Sequence, residues 1–142
     1  MGRTPLGVTV AAALTMLGAA GAFLFATVWT ALGSMGHAGV YGSPPISYWL
    51  VLFSSLLLSG ISFVASVGMF RGEWYIWHLS IAVWMYSAAH YCCLAWLMFR
   101  GENLTIMAGL AVFVNMALIA YFQSRQAKDY FLDHRHSQHA TA

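Results

Sequence analysis

The chain has 142 residues, 61% of them hydrophobic and 7% charged, with a formal net charge of +2. Soluble domains carry roughly a quarter charged residues, so this balance, with a mean hydropathy of +0.71, predicts an integral membrane protein without room for a separate soluble catalytic domain. Its charges fall nearly all at the ends of apolar runs, so they report topology, and no basic patch points to nucleic acid or to an acidic partner.

In chain order, Thr4-Pro5 reads as an N-cap followed by proline at the first helical position, which opens a first span over 5–32. Arg3 ahead of an apolar run also fits a signal peptide, but the run continues to Leu32, past the usual length of such a segment. Gly33 to Ser47 is a loop by composition, with several glycines and the Pro44-Pro45 pair. A second span covers 48–70 and opens on the interfacial pair Tyr48 and Trp49. Tight turns at Arg71 to Trp74 and at Arg100 to Asn103 lead into spans over 75–99 and 104–123. The stretch from Ser124 to Leu132 can continue the last helix, and 133–142 is a polar, histidine-containing tail.

The expected fold is therefore all-α, a four-helix transmembrane bundle over 1–132, multi-pass in the cell membrane. Arg3, Arg71, Arg125, Lys128 and Arg135 would share one side against Arg100 alone, which puts both termini in the cytoplasm. Met-Phe-Arg-Gly-Glu occurs at Met69 to Glu73 and again at Met98 to Glu102. Shared physics accounts for the repeat: arginine meets the helix C-terminus, glycine supplies the left-handed residue that stops the helix, and glutamate favours the next N-terminus.

Depth counting along antiparallel spans places Ser59, His90 and Asn115 in one polar layer near mid-membrane, with Gly18, Gly21 and Ala22 of the first span offering a close approach. One reading is an interhelical lock worth about 0.6–2 kcal/mol per hydrogen bond. The other is a ligand site in which Tyr86, Cys93 and Asn115 assist His90 in holding haem, a quinone or copper, because ionisable groups inside membranes are often functional. Haem would need a second axial ligand, and His78 cannot supply it, being about 18 Å along the same helix. Met35 and His37 in the outer loop, and His134, His136 and His139 in the tail, are the other candidate metal ligands. Cys92 and Cys93 are adjacent in a helix, where a disulfide between them would break it.

Trp84, Tyr86 and Tyr91 are bulky for a small bundle and fit a face that docks on another membrane subunit, or one that meets lipid. No intramembrane carboxylate, Ser/His/Asp set or phosphate loop is visible. The expected role is thus a non-catalytic accessory or scaffold subunit with no cofactor of its own. Respiratory assemblies and copper-dependent monooxygenases are candidate hosts, and other membrane subunits or further copies of the chain are the candidate partners. The alternative is a small membrane redox protein built on His90.

The run Arg3-Thr4-Pro5-Leu6-Gly7-Val8-Thr9 resembles the Arg-Pro-x-Gly-Val-Thr opening of small four-span prokaryotic membrane proteins of unknown function, frequent in archaea. Gly68, Arg71, Gly72, Trp74 and Trp77 look like their second turn, and Asn115, Tyr121, Lys128 and Phe131 like their closing segment. The resemblance implies four spans. The third span departs from it, with His90-Tyr91-Cys92-Cys93 where those proteins are aliphatic.

Overall fold

The structure, a computed structural model, describes residues 4–37, 46–98 and 102–139. These residues form five helices and no strand: α1 Leu6–His37, α2 Ile46–Arg71, α3 Trp74–Met98, α4 Glu102–Phe122 and α5 Arg125–His139. Two of them, α1 over Leu6–Gly33 and α2, are long and apolar enough to cross a membrane. The first helix runs five residues past the expected end at Leu32, so Met35 and His37 stand on its last turn rather than in a loop.

Local chemistry sets the ends. Thr9 N–H donates to Pro5 O at 3.1 Å, so the first helical bond closes on Pro5 and not on Thr4. At the other end of α2, Gly72 adopts φ 67°, Gly72 N–H donates to Met69 O at 3.2 Å and Glu73 N–H to Gly68 O at 3.3 Å. This is the paired 5→2 and 6→1 closure that needs a left-handed residue, and it is the helix stop expected at this glycine. Its second copy, at Gly101, lies outside the described residues.

The last helix does not simply continue. Ser124 N–H turns back to Tyr121 O at 2.9 Å, and Ser124 Oγ accepts from Ala127 N–H at 3.4 Å, so this serine ends α4 and caps α5. Thereafter α5 stays helical through His139, into the polar segment expected from 133. It buries Ala127, Tyr130 and Phe131 against the bundle. Tyr130 Oη donates to Met69 O at 3.4 Å, and Phe131 tilts against Phe122 at 5.7 Å between ring centroids. Lys128 Nζ sits 5.7 Å over the Trp77 ring, a cation–π contact at the same end as Arg71 and Arg125.

Sequence neighbours pack antiparallel: α1 on α2, α2 on α3 and α3 on α4. The core lies toward the α5 end, where Val8, Ala11 and Ala12 meet Leu58, Ala65, Met69, Ile76, Trp84 and Phe122. Polar ties cross it. Ser66 Oγ donates to Ala12 O at 2.8 Å, Trp84 Nε1 to Thr15 Oγ1 at 3.0 Å, and Trp77 Nε1 to Phe122 O at 2.7 Å. Near the opposite end a smaller cluster of Ala26, Tyr48, Leu52 and Trp29 holds α1 to α2.

Candidate functional site

A crevice between α1 and α4 is what this packing leaves open. The two helices meet where the Tyr121 ring lies on Gly7, so closely that a Cβ there would fall inside the ring. Further along they separate. Gly18 and Gly21 have nothing within 4 Å of where a Cβ would stand, so they line an opening and are not the close helix approach expected of them. Ala22, the third small residue of that set, is buried in the core. The opening encloses about 770 Å³, within the range of sites that hold small molecules. Its walls are apolar apart from the Tyr91 phenol, and its floor carries Thr15, Ser62, Ser87, His90 and Asn115.

Three of the floor groups have been placed by the fold with care for their hydrogen bonds. Thr15 donates to Ala11 O at 2.7 Å and accepts from Trp84, so its one donor is used. Asn115 is buried and donates from Nδ2 to Ala111 O at 2.7 Å and to Ser87 Oγ at 3.3 Å. His90 is buried as well, with Nδ1 3.2 Å from Ser54 Oγ and Nε2 3.2 Å from Ser55 Oγ. Those serines also reach Val51 O, at 3.1 and 2.8 Å respectively. A neutral imidazole has one donor and one acceptor. One consistent arrangement has Nε2–H donating to Ser55, Ser55 donating to Val51 O, and the Ser54 hydroxyl turning to Nδ1. Tyr86 stacks on the ring at 6.3 Å and 29°, and its hydroxyl donates to Ser54 O at 3.3 Å.

Of the three residues expected in one layer, His90 and Asn115 are buried and line the crevice. Ser59 is half-buried and does not meet His90; Ser54 and Ser55 do. The physical reason is register: Ser55 stands as far before Gly72 as His90 stands after Glu73, so the tight turn sets them level. Asn115 bonds Ser87, one turn before His90, and joins it across the crevice floor.

The proposed helpers divide. Tyr86 and Asn115 are near the histidine, but Cys93, like Cys92, is exposed and does not converge on it. With both His90 nitrogens held by serines, ligation of haem or copper would cost one of those bonds, and the described residues bring no second histidine to the floor. Among the described residues no three His, Cys, Asp or Glu side chains gather. The side chains of Met35, His37, His134, His136 and His139 lie outside the described residues. Holding a metal or haem at His90 would thus break a serine bond, with no further ligand beside it among the described residues. Trp84, expected on a face that meets a partner or lipid, is instead buried in the core with its ring edge-on to Phe122 at 4.6 Å.

The serine clamp gives a measurable expectation. His90→Leu should lower stability in mild detergent by only about 1–2 kcal/mol, because Ser54 and Ser55 keep Val51 O as acceptor. Thermal unfolding checks this, and a larger loss would mean that the histidine organises more than its own two bonds. Comparison with protein-family models, curated proteins and solved structures returns no match.

Proposed function

We propose that the chain is a four-span, multi-pass membrane protein that binds a membrane-borne guest in the crevice between α1 and α4 and performs no chemistry of its own. The divergence of these two helices above Gly7 and Tyr121 is the observation that carries the reading. Helix lengths support four spans: α3 and α4, with 25 and 21 residues, reach about 38 and 32 Å at the helical rise, enough for a hydrocarbon core of about 30 Å. So does their outer surface. Trp96 is 83% exposed and Phe113 71%, and Met85 and Ile106 are exposed as well; such a surface suits lipid and is a liability in water. Arg71, Arg125 and Lys128 share the α5 end, which supports placing that end and both termini on the cytoplasmic side.

Topology is testable with Cys92 and Cys93 replaced by serine and single cysteines introduced elsewhere. On the four-span reading an impermeant maleimide labels Ile46→Cys and Asn103→Cys from outside intact cells, and Gln126→Cys only after lysis. Two spans would leave Asn103→Cys protected together with Gln126→Cys, and the proposal would fall.

A second reading, that of a non-catalytic accessory subunit, draws on the small residues along the crevice. Gly18 and Gly21 face Ala108 and Ala111 across it, and small residues are what let a partner's transmembrane helix approach closely. Under this reading a partner co-purifies in fixed stoichiometry after mild solubilisation, and Gly21→Phe releases it.

A further inference from the structure

The crevice floor holds more hydrogen-bonding capacity than the chain itself uses. Ser62 is 4% exposed and lines the crevice, yet its hydroxyl makes no hydrogen bond among the described residues. Asn115, 8% exposed, spends both N–H groups on Ala111 O and Ser87 Oγ, which leaves Oδ1 as an unused acceptor. Ser87 accepts that bond, which leaves its own O–H to give. Donors and an acceptor thus stand together on one floor. Leaving such groups without partners at this depth is costly, so a guest of matching polarity gains what they lack.

The charge of that guest is also set. Among the described residues no Asp, Glu, Lys or Arg lines the crevice, and the nitrogens of His90 are taken by α2. A carboxylate or phosphate would enter without a counter-charge, at a desolvation cost that nothing here offsets. The rest of the wall is aliphatic or aromatic, from Leu14 and Leu17 on one side to Leu110 and Val114 on the other. Resting on the binding role proposed above, we infer that the crevice takes an uncharged amphiphile whose carbonyl or hydroxyl head bonds Ser62, Ser87 and Asn115 and whose hydrocarbon body lies between α1 and α4. A lipoquinone, a long-chain alcohol and a diacylglycerol share this chemistry.

The test uses the whole chain in nanodiscs of zwitterionic phospholipid. A decyl-substituted benzoquinone is the probe, read as saturable quenching of tryptophan fluorescence, with Trp84→Phe identifying the signal from the crevice. Dodecan-1-ol, dodecyl phosphate and dodecane are competitors. The alcohol should displace the probe at least tenfold better than the phosphate or the alkane. Ser62→Ala should weaken binding of quinone and alcohol about three- to tenfold, the worth of one hydrogen bond. Gly21→Phe should abolish it, and because Gly21 faces open space the variant keeps its helical spectrum and its elution volume. If the quinone binds and the alcohol does not compete, the carbonyl source is selected and the inference stands in that narrower form. Equal competition by dodecane, with binding still lost in Gly21→Phe, overturns the head-group assignment while leaving a binding crevice. Quenching that survives Gly21→Phe overturns both.

Discussion

Trp84→Ala should lower unfolding stability by about 3–5 kcal/mol, the range for emptying a fully buried large side chain. Trp84 is 2% exposed, touches Phe122 edge-on, and ties α3 to α1 through Thr15. Trp84→Phe removes the N–H but only part of the ring volume, so it should cost less, about 1–2 kcal/mol, with Thr15 still bonded to Ala11 O. The two variants compared by thermal unfolding in one detergent separate volume from hydrogen bond. Equal losses in both would mean that the Thr15 bond, and not the packing, holds α3 to α1.

Gly68→Val should cost about 2–3 kcal/mol through overpacking. A Cβ at this position would fall inside the buried Ile76 side chain at the foot of the α2–α3 turn. The cause is a single contact, so Ile76→Ala in the same chain should recover part of the loss, and a double-mutant cycle reads the coupling directly. Additive losses would show that Gly68 is needed for backbone reasons in the turn and not for the room it gives Ile76.

How far the sequence could be read depended on what fixes each element. Helical class, the turn at Gly72 and the burial of His90 and Asn115 were legible, because apolar runs, a left-handed glycine and the cost of buried polarity act locally. The break before α5 was legible in principle: Ser124 followed by a polar turn is an N-cap signal, although the apolar residues Tyr130 and Phe131 also fit an unbroken helix. The inward side of α3 was not. Apolar residues surround that helix, so no stripe says whether Trp84 faces a core or a membrane. Gly18 and Gly21 illustrate the same gap: small residues permit a close neighbour, but only the arrangement of α1 and α4 shows that none arrives.

The serine clamp on His90 has a consequence for how the protein is made. Both hydrogen-bond partners of the ring come from α2, and the turn that aligns them is only Gly72 and Glu73. On the four-span reading, the side chain most expensive to place in lipid is satisfied as soon as the α2–α3 hairpin closes, before α4 has left the ribosome. Insertion can then proceed hairpin by hairpin, with α1 and α4 added to a unit already neutral and hydrogen-bonded within. Nothing in that sequence of events requires α1 and α4 to close on each other, so the opening between them is compatible with a chain that has finished folding.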